Sequence, residues 1–105
     1  MSSGKPKFKL VVIAGSNQCA VNKKCRLRQQ DSVSWVNPTR KNWWVRFFGT
    51  TPISRKRKFK VKAGGASPWY HVKKGLAHGT IFRYTITETP GGGGPDGPAI
   101  ISEGG

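Results

Sequence analysis

Asp31, Glu88, Asp96 and Glu103 are the only carboxylate side chains in the chain, and His71, His78, Cys19 and Cys25 are its only imidazoles and thiols. No two of the carboxylates are close in sequence, and neither histidine has a carboxylate beside it. The paired acid and base of a hydrolase, or a nucleophile next to its base, is therefore missing, and the chain reads as non-enzymatic. Two histidines without a neighbouring acid or thiol are a poor ligand set for Zn or Cu, so no metal or cofactor site is expected. Cys19 and Cys25 have five residues between them, unlike the tight pairs of zinc ribbons. Geometry decides whether they bond, and on an inward strand position Cys25 is simply a small core residue.

What the chain holds in quantity is positive charge: 19 Lys+Arg against four Asp+Glu, a net charge of +15. All 19 cations and one anion lie in residues 1–87, for +18, while residues 88–105 carry −3. Such a body repels itself unless an anionic partner or counter-ions compensate. Six of the eight residues Arg55-Lys56-Arg57-Lys58-Phe59-Lys60-Val61-Lys62 are basic, and alternation sends Lys58, Lys60 and Lys62 outward while Phe59 and Val61 face a core. Arg26 and Arg28 make a second row, Lys7 and Lys9 a third. The segment 43–48 alternates between Trp43, Val45 and Phe47 on one face and Trp44, Arg46 and Phe48 on the other, the second set being an aromatic, cation, aromatic stripe where it faces out. Trp69, Tyr70 and His71 followed by Lys73 and Lys74 repeat the mixture in a loop. Cations neutralise phosphates and aromatic faces stack on bases, which is the chemistry of nucleic-acid binding.

The elements that position these groups are short. Alternating runs at Lys7–Ala14, Ala20–Arg28, Ser32–Val36, Trp43–Phe48, Lys58–Lys62, Phe82–Thr87 and Ala99–Ser102 are separated by Gly, Pro, Asn and Ser. No window of ten or more residues has helical apolar spacing free of Gly or Pro. About seven strands at such spacing predict an all-β antiparallel sandwich. At 105 residues this is a single domain, with a flexible basic N-terminus over 1–6 and a Gly/Pro-rich connection over 89–98.

The order of the motifs resembles the cupredoxin family. Asp31-Ser32-Val33-Ser34-Trp35-Val36-Asn37 is similar to its G-D-x-V-x-W-x-N strand, and Trp43-Trp44-Val45-Arg46-Phe47 to the H-x-V-x-F segment that follows. Lys58 to Gly65 resembles F-x-V-x-A-G-G, Gly79-Thr80 with Phe82 to Ile86 resembles G-T-Y-x-Y-x-V, and Pro95 to Ile101 resembles the terminal D-P-x-I-I strand. The resemblance runs from about Val11 onward and implies a Greek-key sandwich. The departures are at the ligands. Trp43 stands where the first copper-ligating His belongs, no Cys follows Cys25, and the only Met is Met1. A type-1 copper site needs two His, a Cys and a weak axial ligand, so the resemblance implies the fold without its metal.

The expected function is therefore non-enzymatic nucleic-acid binding through a basic, aromatic-interleaved surface, mostly at the phosphates. The runner-up is a protein-interaction or oligomerisation module that docks an acidic partner or a second copy, and a periplasmic metal carrier comes third. The longest apolar run, Leu10 to Ala14, is far short of the roughly 20 residues of a membrane-spanning helix, and the chain is read as cytoplasmic.

Overall fold

The computed structural model describes residues 6–53, 57–89 and 97–103. These residues form nine strands and no helix: β1 (Phe8–Gly15), β2 (Gln18–Val21), β3 (Lys24–Leu27), β4 (Ser32–Val36), β5 (Trp43–Phe47), β6 (Lys58–Val61), β7 (Tyr70–His71), β8 (Ile81–Thr87) and β9 (Ala99–Ser102). One sheet runs β2-β1-β4-β7 and the other β3-β9-β8-β5-β6.

The all-β class matches expectation, but the strand count and the purely antiparallel pairing do not. Both sheets are mixed, because β1 pairs with β4 and β3 with β9 in parallel. The difference begins at Asn22, which adopts a left-handed φ of 62° and donates its amide to the Leu10 carbonyl at 2.6 Å. There the segment 20–28, expected as one strand, breaks into two that belong to different sheets. The chain then returns from β3 to lie beside β1 by a crossover rather than a hairpin, and a crossover makes the pair parallel. Tyr70 and His71, expected in a loop, add the short strand beside β4.

Alternation fills the space between the sheets. Val11, Ile13, Val33 and Trp35 of the smaller sheet meet Val45, Phe47, Phe59, Val61, Tyr84, Ile86 and Ile100 of the larger one, all buried. Trp35 is the hub, with its ring 5.0 Å from Phe59, 5.7 Å from Tyr84 and 6.1 Å from Phe47, each edge-on. Edge-on pairs of this kind contribute about 0.5–1.5 kcal/mol each beyond the area they bury.

Polar residues at both ends of β4 hold it in register. The buried Asp31 carboxylate accepts the backbone N–H of Lys7 and of Arg28, each at 2.9 Å. The Asn37 amide donates to the carbonyls of Lys41 (2.7 Å) and Val61 (3.0 Å). The motif from Asp31 to Asn37 is thus occupied with structure. At the other end of the chain, the Tyr84 N–H donates to the Pro98 carbonyl at 3.0 Å, and a Cβ on Gly97 would overlap the Tyr84 carbonyl. Gly97 and Pro98, at the end of the Gly/Pro-rich connection, thus lie against β8. Residues 90–96, like residues 1–5 of the expected flexible N-terminus, lie outside the described part.

Candidate nucleic-acid interface

The outer face of the five-stranded sheet collects cations from four of its strands. On β5, Trp43, Val45 and Phe47 are buried, so Trp44 and Arg46 face out; on β6, Phe59 and Val61 are buried, so Lys58 and Lys60 face out. Register places Trp44 opposite Lys60 and Arg46 opposite Lys58. Cross-strand neighbours of this kind are about 5 Å apart, close enough to act together. The Lys60 ammonium sits 6.0 Å from the Trp44 ring centre, and the Arg46 guanidinium 5.5 Å from that of Phe48. Each aromatic of the stripe therefore carries a cation over its face and holds it at the surface.

Two further cations complete the platform, and neither was singled out from the sequence. Arg83 faces out from β8 because Phe82 and Tyr84 face in. Lys24 faces out from β3 because Cys25 faces in, and both pair with the small, buried Ala99 of β9. The alternation Phe82-Arg83-Tyr84 was the available signal for Arg83. Arg26 lies on the same face of β3, with a guanidinium nitrogen 3.8 Å from the Glu103 carboxylate. The other ion pair among the described residues, Lys41 with Glu88 at 3.1 Å, is as exposed. Exposed pairs of this sort hold little energy and leave the face strongly positive.

The remaining expected residues divide. Arg57 and Lys62 are exposed at the two ends of β6, and Arg28 is exposed just past β3. Arg55 and Lys56 lie outside the described residues. Lys9 is not part of an outer row: it points between the sheets, half-buried, and donates its ammonium to the Arg26 carbonyl at 3.1 Å. Trp69, Lys73 and Lys74 do not join the platform. Trp69 packs against Phe8 of β1, and Lys73 and Lys74 follow β7, the edge strand of the smaller sheet.

The thiols and imidazoles are placed without convergence. Cys19 and Cys25 are unbonded. Burial pushes the Cys25 thiol up to about 11 and raises that of Cys19, whose sulfur lies 3.9 Å from the Tyr84 hydroxyl. Both thiols are thus held in the form that is neither nucleophile nor ligand. His71 Nδ1 meets the Ser32 hydroxyl at 3.1 Å, and His78 Nδ1 meets the Glu103 carbonyl at 3.0 Å. Among the described residues no three His, Cys, Asp or Glu come together. Trp43, which the cupredoxin resemblance would set at the first copper ligand, donates its indole N–H to the Thr39 hydroxyl at 2.8 Å. Indole has no lone pair to give a metal, so the residues present do not fit a type-1 copper centre. Comparison with protein-family models, with curated proteins and with solved structures found no match to the chain.

Proposed function

We propose that the chain is a non-enzymatic nucleic-acid-binding domain, a copper-free, cupredoxin-like β-sandwich that grips phosphates with the outer face of its five-stranded sheet. The observation that carries the reading is the position of Arg46 and Arg83 on the interior strands β5 and β8 of that sheet. Lysines on an edge strand such as β6 have a second use, since charge there prevents edge-to-edge pairing. Interior strands need no such protection, so their outward arginines call for another account, and a polyanion supplies it. The sheet is about 19 Å wide from β3 to β6. A duplex presents about eleven phosphates over that length, at one charge per ~1.7 Å.

Trp44 and Phe48 lie beneath Lys60 and Arg46, so their first contribution is to position the cations rather than to stack on bases. Arg57, Lys62 and Arg28 extend the positive field at the rim. With no helix among the described residues to enter a major groove, the contacts are to the backbone and the binding tolerates any sequence. The test is the anisotropy of a labelled duplex and of a labelled single strand at about 50 and 200 mM salt. Binding at the lower salt that weakens steeply at the higher supports the proposal. Absence of binding at low salt, or an affinity indifferent to salt, overturns it.

A further inference from the structure

The face turned away from the basic platform is richer in exposed apolar side chains, the platform side having Ile81 at 52% exposure. On the outside of the four-stranded sheet, Phe8 and Leu10 of β1 are 67% and 43% exposed, and Val21 of β2 is 48% exposed. Trp69 is 47% exposed and packs edge-on to Phe8 with ring centres 5.3 Å apart. Beside Phe8 runs an open groove of about 710 Å³, lined almost wholly by carbon, in which Lys74 is the charged lining residue. No acidic side chain lies on this face among the described residues. Asp31 is buried with both oxygens on backbone N–H groups, while Glu88 and Glu103 follow strands of the other sheet. Lys7 adjoins Phe8 and Lys23 follows Val21 at the rim, both exposed.

We infer that this face docks on the surface of an anionic lipid bilayer. Phe8, Leu10, Val21 and Trp69 enter the boundary between headgroups and acyl chains, and Lys7 and Lys74 meet lipid phosphates. Exposed aromatic and aliphatic groups beside lysines have their lowest free energy at that boundary. Each lysine held near an anionic leaflet adds attraction that salt weakens. Charge also decides between occupants. A second copy would bring +15 against +15 with no acid between them, whereas an anionic surface attracts the whole chain. The carbon surface of the groove beside Phe8 and Val72 accepts an acyl chain.

The proposal uses none of the platform residues, so variants separate the two faces. In co-sedimentation, the full chain binds mixed phosphatidylglycerol and phosphatidylcholine vesicles and not phosphatidylcholine alone. Phe8→Ser with Trp69→Ser lowers vesicle binding about tenfold while leaving nucleic-acid affinity in place, which also shows that the variant is folded. Arg46→Gln with Lys60→Gln has the reverse effect. Lipids brominated near the headgroup quench tryptophan fluorescence in the parent chain and in Trp44→Phe, and not in Trp69→Phe. The proposal is overturned if anionic vesicles do not bind, if Trp69→Phe is quenched like the parent, or if Phe8→Ser with Trp69→Ser leaves vesicle binding intact. A dimer in light scattering that this pair of substitutions abolishes overturns it in favour of a second copy.

Discussion

Replacing Arg46 and Lys60 together by Gln tests whether the platform is a phosphate-binding surface or a set of solvated charges. Lys24, Arg46, Lys58, Lys60 and Arg83 share the outer face of the larger sheet, and Arg26 is set aside because Glu103 lies 3.8 Å from it. Five phosphates neutralised on a duplex release enough counter-ions for a slope of log affinity against log salt of about −4.5. Between about 50 and 200 mM salt that is a loss of roughly 500-fold. With two contacts removed, the slope falls to about −2.7 and the loss to roughly 40-fold. On single strands the parent slope is shallower, about −3.5. The assay is an anisotropy titration at four or more salt concentrations, with thermal melts to confirm that both proteins are folded. A parent slope shallower than about −2, or one that the double substitution leaves unchanged, refutes the assignment. If Lys60 served only to keep the β6 edge from pairing, the variant would aggregate more readily and the slope would not move.

Trp35→Ala removes the hub of the aromatic cluster and is expected to cost ~3–5 kcal/mol, read from urea midpoints, whereas a loss below ~1 kcal/mol would contradict the packing described. Gly97→Ala drives a Cβ into the Tyr84 carbonyl and is expected to cost ~1–3 kcal/mol, with hydrogen exchange accelerating across β8 and β9. Burial raises Cys25 from 9.0 to about 11, so above pH 9 the unfolded chain gives up that proton before the native one does. The native state then holds more protons, and stability that is complete below pH 9 falls as pH rises toward about 11. Cys25→Val should flatten part of that alkaline decline in urea midpoints, with Tyr84, Tyr70 and Cys19, which burial shifts in the same direction, contributing to the rest.

Period-two alternation made much of the platform legible, because it depends only on which residues are apolar. Phe59 and Val61 against Lys58 and Lys60 face as their types dictate, whereas both faces of 43–47 carry a tryptophan and the choice between them followed the cupredoxin resemblance. What alternation does not encode is which strands share a sheet. Trp69 and Lys74 looked like part of the same surface because their composition matches, yet β7 pairs with β4, so they belong to the other sheet. Lys9 was set in an outer row with Lys7, but it shares the parity of Val11 and Ile13 and turns inward with them, where its ammonium reaches the Arg26 carbonyl. The break at Asn22 was hidden because a left-handed Asn inside an alternating run reads like any polar strand residue.

The disposition of the acids gives the charge its consequence. Asp31 spends both carboxylate oxygens on backbone N–H groups, Glu88 meets Lys41 and Glu103 meets Arg26. The carboxylates among the described residues are thus each engaged near where they sit, and none faces Lys24, Arg46, Lys58, Lys60 or Arg83. Like charges about 5–7 Å apart on one sheet face raise the energy of the folded state. The Trp44 and Phe48 rings under Lys60 and Arg46 offset part of that repulsion, since a cation over an aromatic face contributes about 0.5–1 kcal/mol at an exposed site. The rest must be screened from outside the molecule. A polyanion would do so with fixed charges, whereas dissolved salt must be concentrated at the surface at an entropic cost. On the proposed function, the repulsion built into the face would strengthen binding, because part of the stabilisation that phosphates provide would be relief of repulsion among the cations.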